Sequence, residues 1–363
     1  MELELPILMA LCGFALGTVA GLAARGADFC TYRAIEDWFL VGDTARLRTW
    51  ALAVAVAMIA VQAMFAADIA RIGESFYLAP SLGWGGAIAG GLLFGWGMAM
   101  VGTCGFGILV RLGSGDMRAV LMVLVMGLSA YMAARGLTAL ARVNLLEPLR
   151  LDLGGAGGQG LGHVIGAATG LSPGGTGLFL GLAIGAALIL WCLSDRRFRQ
   201  SGYGVASGLA VGVAVAGGFA ATGILGNDDF DPQRVESLTY VLPPGETIMY
   251  LLTFTGAEIT FGIGATLGTV FGAFLTTSTR MNFRFEAYDD AREMRRHVVG
   301  AFLMGFGGVA ALGCTVGQGV SAMSTLSLGA PLAMASIVAG SVLGIRYLTT
   351  GSLLGSAEQG REP

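Results

Sequence analysis

Apolar segments long enough to cross a lipid bilayer follow one another along almost the whole chain. A spanning helix needs about 20 mostly apolar residues. We place nine such segments at 6–25, 47–68, 84–103, 118–140, 175–193, 203–225, 255–276, 297–313 and 328–348. The eighth is short and is expected to extend into its flank. The pattern predicts an all-α integral membrane protein with about nine transmembrane helices.

The composition also indicates lipid as the main solvent. The chain is 55% hydrophobic and 12% charged, whereas soluble domains are roughly a quarter charged. Its 60 glycines favour close helix packing and helices that break inside the membrane. A net charge of −3 gives no reason to expect a nucleic-acid partner. We expect a single transmembrane domain over 1–350, followed by a polar tail over 351–363.

The distribution of arginine predicts the orientation. The chain has no lysine, and sixteen of its 21 basic residues lie on the inner side if the N-terminus is outside. Positive charge accumulates in cytoplasmic segments of membrane proteins. We therefore expect a multi-pass protein of the bacterial inner membrane with its N-terminus outside and its C-terminus in the cytoplasm.

Three apolar pieces are too short to span: residues 29–40 and the segments after Cys104 and Cys314. Such pieces exist at membrane depth only where they line a cavity or are buried in protein. We interpret the last two as re-entrant half-helices, the alternative being ordinary interfacial loops. The stretch 227–246 has three aspartates and a Pro-Pro pair and is predicted to be a polar outer loop.

Two stretches of the chain resemble each other. Gly-Trp-Gly-Met-Ala-Met-Val-Gly-Thr-Cys-Gly-Phe-Gly over 95–107 aligns with Gly-Phe-Gly-Gly-Val-Ala-Ala-Leu-Gly-Cys-Thr-Val-Gly over 305–317. They predict a pseudo-symmetric repeat of inverted orientation, with halves at about 1–140 and 200–350 connected by 141–199. A second echo, Leu-Gly-Thr-Val at 16–19 and 267–270, has the same orientation in both copies on this helix count. Both echoes cannot belong to one inverted repeat, so either the count is off or one of the two matches is chance.

Three motifs resemble those of the YeeE/YedE sulfur transport family. They are Asp-Phe-Cys-Thr-Tyr-Arg over 28–33, Gly-Thr-Cys-Gly-Phe-Gly-Ile-Leu-Val-Arg-Leu-Gly over 102–113, and Gly-Cys-Thr-Val-Gly-Gln-Gly over 313–319 with Ser-Thr-Leu-Ser-Leu-Gly over 324–329. The resemblance covers nearly the whole chain. It implies an hourglass-like transporter that takes up thiosulfate past cysteines, which correspond here to Cys104, Cys314 and Cys30. It also implies a small cytoplasmic sulfur-carrier protein of the TusA type as a partner.

Cysteine chemistry suits a path for a sulfur anion. A charged ion is costly inside a bilayer, and conduction needs several weak sites rather than one strong site. A neutral thiol is a weak donor with a soft, polarizable sulfur. We therefore expect Cys30, Cys104 and Cys314 to be protonated on the path, and Cys12 and Cys192 to pack as small apolar residues.

The candidate path also includes neighbours of these cysteines. Gln318 either donates to an anion or bonds a neighbouring helix, and Arg111 either faces the pore or anchors the membrane edge. The complete set is Cys30, Cys104, Cys314, Gly105, Gly107, Thr315, Gly317, Gln318 and Arg111. We expect neither a metal nor another cofactor, since His163 and His297 are far apart and there is no C-x-x-C motif.

Three other functions stay open at this stage. One is transport of a selenium compound, which the family resemblance also allows. Another is a membrane thiol–disulfide oxidoreductase, although a C-x-x-C pair is lacking. The third is a membrane anchor for a sulfur-carrier or sulfur-oxidation complex. An enzyme is not expected, and the chain has no phosphate-binding G-x-x-x-x-G-K-[ST] motif.

Overall fold

A computed structural model describes residues 5–226, 234–280, 283 and 285–351, so the predicted tail lies outside the described residues except for Gly351. The fold is almost entirely helical. The α-helices are α1 Leu5–Ala27, α2 Thr31–Leu40, α3 Ala45–Ala66, α4 Trp84–Val101, α5 Gly105–Gly113, α6 Arg118–Arg135, α7 Leu137–Ala141, α8 Leu161–Thr169, α9 Pro173–Leu193, α10 Arg196–Gln200, α11 Gly202–Ala220, α12 Leu242–Leu252, α13 Phe261–Thr279, α14 Ala291–Ala310 and α15 Gly329–Thr350. Three π-helical turns span Arg142–Leu146, Ala221–Leu225 and Gly317–Ala322, and two short strands, β1 Ser81–Leu82 and β2 Leu151–Asp152, pair antiparallel.

Nine helices of the described chain have 18 residues or more: α1, α3, α4, α6, α9, α11, α13, α14 and α15. Eight of them are long and apolar enough to cross a membrane. The ninth, α14, begins with the charged stretch Arg-Glu-Met-Arg-Arg-His over 292–297, which lowers its hydropathy. This helix is the short eighth segment of the sequence pattern, extended into its flank. The prediction of an all-α, multi-pass membrane protein is confirmed.

The two cysteine motifs form broken arms. In the first, α4 ends at Gly102, whose φ of +73° stops the helix, and α5 begins at Gly105. In the second, α14 ends before Leu312 and Gly313, which have φ of +60° and +154°, and the π-helical turn begins at Gly317. Positive φ interrupts a helix and is least costly at glycine. The short segments predicted after Cys104 and Cys314 are both present and buried.

The second sequence echo is a packing seam. Helices α1 and α13 run side by side with their glycines in contact: a Cβ at Gly17 would lie 2.9 Å from the Ala265 carbonyl carbon, and one at Gly268 would lie 2.8 Å from that of Phe14. Small residues let membrane helices approach this closely. The matching Leu-Gly-Thr-Val motifs therefore serve a helix pair, not the repeat.

The predicted polar outer loop over 227–246 is wrong in its second half. Residues 234–241 form an extended segment that enters the protein between the two arms, and Leu238 and Tyr240 are 0% exposed. The Tyr240 hydroxyl lies 3.0 Å from the Thr269 oxygen in the middle of α13. Such backbone is tolerated at membrane depth because it is enclosed by protein.

The loops at the end of the molecule opposite the arginine-rich segments are tied together by backbone hydrogen bonds. Strands β1 and β2 join the segment before α4 to the segment before α8. From there, the Gln159 N–H donates to the Leu78 carbonyl, and the Leu328 N–H donates to the Gln159 carbonyl. This network places residues 76–82, residues 157–161 and the end of the Cys314 arm next to one another.

Candidate substrate path

Cys30 and Cys104 form a close pair of thiols. Their sulfur atoms are 3.9 Å apart, and the Thr103 hydroxyl oxygen is 3.5 Å from the Cys30 sulfur. Cys104 is fully buried, whereas Cys30 is partly exposed to a cavity. Residues 74 positions apart in sequence thus meet at one point, and their role in a substrate path stays a prediction.

Cys30 and Cys104 each come directly before a short helix, and Cys314 lies three residues before the π-helical turn that begins at Gly317. Cys30 precedes α2, and Cys104 precedes α5 and accepts a hydrogen bond from the Gly107 N–H at 3.4 Å. The Cys314 sulfur accepts from the Gly317 N–H at 3.3 Å. Helix N-termini carry unpaired N–H groups and partial positive charge, which favour anions. The arrangement presents sulfur and backbone N–H groups together.

The extended segment lies between the two arms. The Thr239 hydroxyl oxygen is 4.0 Å from the sulfur of Cys314, which is fully buried. On the other side, a Cβ at Gly105 would lie 2.8 Å from the Tyr240 carbonyl oxygen. Glycine at 105 is required by this close approach. Thr239 and Tyr240 contact the candidate path, and the sequence reasoning missed them because nothing in their neighbourhood distinguishes them from a surface loop.

A cavity of about 710 Å³ opens from the Cys30 side. Cys30, Thr103 and Gly107 form part of its wall, and its remaining surface is rich in arginine and acidic residues. The charged residues are Arg25, Asp28, Arg33, Arg111, Asp116, Arg118, Glu286, Glu293 and Arg296. We call this cavity the arginine vestibule.

The charges in the vestibule are unevenly paired. Arg118 contacts three of the four carboxylates, those of Asp116, Glu286 and Glu293. Within the described part of the chain, Arg25, Arg111 and Arg296 have no carboxylate within 4.0 Å. Three cations of the vestibule therefore have no carboxylate partner beside them.

The structure places Arg111 and Gln318 differently. Arg111 lines the vestibule and donates from Nη2 to the Gly102 carbonyl at 3.0 Å, so it faces the cavity and also holds the break in the first arm. The Gln318 amide donates to the carbonyls of Ala311 and Leu312 at 2.8 and 3.0 Å. Both acceptors lie in its own arm and not in a neighbouring helix, so the role of Gln318 on the path stays a prediction.

Two other cysteines lie away from the path. Cys192 packs with Ala51, Leu52 and Phe198 in a small separate cluster, and its S–H donates to the Arg48 carbonyl at 3.3 Å. Cys12 is partly exposed on α1. Both positions agree with the packing role expected for them.

A second cavity lies on the side of Cys314. It measures about 20 Å³ and is lined by Tyr77, Gln159, Gln318 and Ser327, among others. That volume is close to the minimum that holds one water molecule. Of the hourglass-like outline implied by the resemblance, the structure has the vestibule half open and the opposite half narrow.

The protein is helical and multi-pass, and its two broken arms carry buried thiols. An arginine-lined cavity opens beside the first arm. These are features of a membrane transport protein. The family model described as "Sulphur transport" matches residues 26–343. The chain belongs to this sulphur transport family, and the YeeE/YedE resemblance of the motifs is confirmed.

Two curated relatives align over most of the chain. The thiosulfate transporter TsuA of Spirochaeta thermophila is 24% identical over 327 residues, which cover 88% of this chain and 93% of the relative. The thiosulfate transporter TsuA of Escherichia coli is 22% identical over 365 residues, covering 87% of this chain and 89% of the relative.

Proposed function

We propose that the protein imports thiosulfate, or a closely related small sulfur anion, across the bacterial inner membrane. The anion enters on the narrow side, passes Cys314, crosses to Cys104 and Cys30, and leaves through the arginine vestibule into the cytoplasm. The N-terminus is then outside and the C-terminus inside. Family membership and the names of the two relatives support the substrate class.

One observation carries the proposed path: Cys30 and Cys104, 3.9 Å apart, stand between the buried Cys314 arm and the arginine vestibule. Neutral thiols and helix N–H groups give weak, successive contacts, so an anion is stabilised without being held. A thiolate would repel it. Gly105, Gly107 and Gly317 contribute close approach and backbone N–H groups, and Thr315 contributes a hydroxyl.

We also propose that the path lies between two inverted halves, at about 1–140 and 200–350, joined by 141–199. From α1 to α6, the elements follow in this order: a long helix, a short helix, a long helix, a broken arm and a long helix. The same order recurs from α11 to α15. Each half supplies one arm. In this arrangement the N-terminal ends of the broken segments meet near the middle of the membrane, as in other transporters built from inverted repeats.

Uptake of labelled thiosulfate by cells that lack other importers tests the proposal. Wild type is compared with Cys→Ser changes at positions 30, 104 and 314, with Cys12→Ser and Cys192→Ser as controls of the same chemistry. We expect loss at 104 and 314, a large decrease at 30, and near-normal uptake in both controls. Protein level in the membrane is measured for every variant.

Normal uptake by Cys104→Ser and Cys314→Ser would remove the thiols from the path. Wild-type uptake no higher than that of cells without the protein would favour the role of a membrane anchor. Equal loss in the two controls would show damage to folding. Competition by selenium analogues of thiosulfate on wild type distinguishes the selenium alternative.

A thiol-based sulfur transfer is a second candidate because the sulfur atoms of Cys30 and Cys104 lie 3.9 Å apart, a proximity that the sequence did not reveal. In that case a cysteine thiol would attack the terminal sulfur of thiosulfate, the S–S bond of the ion would break, sulfite would leave, and the resulting persulfide would carry only the terminal sulfur toward the cytoplasm.

The expected sulfur-carrier protein of the TusA type remains part of this proposal. Its place would be at the mouth of the arginine vestibule, where imported sulfur anions arrive. Co-purification of such a carrier with wild type, and its loss after charge reversal of Arg33 and Arg296, is the corresponding measurement.

A further inference from the structure

Three buried polar groups beside the Cys314 arm have no hydrogen-bond partner among the described residues. They are the Tyr77 hydroxyl, the Thr315 hydroxyl and the side-chain amide oxygen Oε1 of Gln159. Their residues are 2%, 0% and 4% exposed. Buried polar groups are nearly always paired, and one left without a partner costs stability. Such a concentration on one side of Cys314 needs a reason.

The position of Tyr77 connects it to the path. A Cβ at Gly317 would lie 3.4 Å from the Tyr77 hydroxyl oxygen, and the Gly317 N–H is the group that donates to the Cys314 sulfur. Tyr77 also forms the wall of the small cavity, together with Gln159. The Tyr77 hydroxyl thus lies between the small cavity and Cys314.

Two elements hold the Tyr77 ring in place. It packs against Phe76, with ring centroids 3.9 Å apart, and edge-on against Phe219 at 6.4 Å. The backbone around it is fixed by the Leu78 contact with the Gln159 N–H. An aromatic ring fixed by packing, with a free hydroxyl at its end, is a preorganised hydrogen-bond donor.

We propose that Tyr77 is a specificity-determining residue of the path: its hydroxyl, with that of Thr315, binds the oxygen-bearing end of the anion while the terminal sulfur faces Cys314. This assignment rests on the proposed function and deepens it. Thiosulfate has three oxygens on one sulfur and a bare sulfur at the other end. Hydroxyl donors on one side and a thiol on the other match both ends. Since a cavity of about 20 Å³ is smaller than such an ion, this side must widen to admit it.

Equilibrium binding of labelled thiosulfate to purified, full-length protein in lipid nanodiscs tests the assignment. We expect Tyr77→Phe to bind about tenfold more weakly or worse, the loss for one hydrogen bond to a charged group. Thr315→Val should weaken binding in the same direction. The matched control is Tyr250→Phe, a partly buried tyrosine whose ring contacts Phe254 at 5.5 Å, and it should bind as wild type does.

Thermal unfolding without thiosulfate separates binding from structure. Because Tyr77→Phe removes a buried hydroxyl with no partner, its midpoint should equal or exceed that of wild type. Unchanged binding in Tyr77→Phe would overturn the assignment, and so would weaker binding accompanied by a lower midpoint. If wild type itself binds no thiosulfate in this assay, the proposed function fails, and that outcome is distinct from the failure of Tyr77 alone.

Discussion

Cys104 and Cys314 each end a glycine-rich arm, and each accepts a hydrogen bond from the backbone N–H three residues later. The repeated pattern Gly-x-x-x-x-x-x-Cys-x-x-Gly in the sequence is sufficient to predict this local geometry, because it depends only on neighbours along the chain. Tyr77 and Thr239 could not be found in this way. Their importance comes from contacts with residues far away in sequence, and tyrosine and threonine in a loop give no signal of their own.

At the residue scale, the environment of Glu236 predicts that thiosulfate uptake depends on pH. It lies in the extended segment outside the spanning helices, with Glu246, Arg234 and Tyr77 as its charged or titratable neighbours. Burial, followed by repulsion from Glu246, raises the pKa of Glu236 to about 7, although Arg234 opposes the shift. The carboxyl group is therefore neutral below about pH 7 and negative above it, where it repels an entering anion.

We expect thiosulfate uptake to fall as the external pH rises from 6 to 8, by roughly fivefold if the added repulsion is about 1 kcal/mol. Glu236→Gln should remove most of this dependence. Uptake rates across that range, measured with the internal pH held constant, provide the check. An equally steep profile in Glu236→Gln would show that another group is responsible.

At the scale of elements, the glycine seam packs α1, near the start of the chain, against α13, more than 230 residues later. A side chain at Gly17 would overlap the Ala265 backbone, which belongs to a helix that is buried and rigid at that point. Overpacking of this kind typically costs about 1–3 kcal/mol. The seam lies beside Tyr240, since Thr269 of α13 contacts both the Tyr240 hydroxyl and the Gly17 carbonyl.

Gly17→Val should therefore lower the thermal midpoint of the purified protein and decrease the amount that reaches the membrane. Gly26→Ala is the control on the same helix, because the nearest atom to a Cβ there is the Arg280 Nη2 at 4.0 Å. It should leave the midpoint unchanged. Fluorescence-detected thermal unfolding in detergent measures the midpoint of each of the two variants. Equal midpoints for Gly17→Val and wild type would contradict the claim that close packing at Gly17 stabilises the α1–α13 contact.

At the scale of the whole molecule, the sequence predicts the number and approximate positions of the long helices, because hydropathy over about 20 residues is a local property. It also predicts that Cys30, Cys104 and Cys314 matter, through the family motifs. It does not predict the arginine vestibule, whose walls come from segments as distant as Arg25, Arg111 and Arg296. Nor does it predict that most of residues 235–241 are buried, because their environment is created by the two arms around them.

The arginine vestibule predicts from which side of the membrane Cys30 can be reached. Cys30 borders the open cavity, whereas Cys104 and Cys314 are 0% exposed. In a variant that retains Cys30 as the single cysteine, a charged, membrane-impermeant thiol reagent should label Cys30 in inside-out vesicles but not in intact spheroplasts. Mass spectrometry of the labelled peptide reads the outcome. Labelling from the outside only would reverse the proposed orientation.

The central claim is that an intact sulfur anion passes the thiols, and thiosulfate labelled separately at its two sulfur atoms tests it most directly. Proteoliposomes containing the purified protein are given thiosulfate labelled either at the terminal sulfur or at the oxygen-bearing sulfur. We expect both labels to accumulate inside at the same rate, and Cys104→Ser and Cys314→Ser to lower both together. Entry of the terminal label alone would show sulfur transfer through the cysteines in place of transport, and would contradict the account.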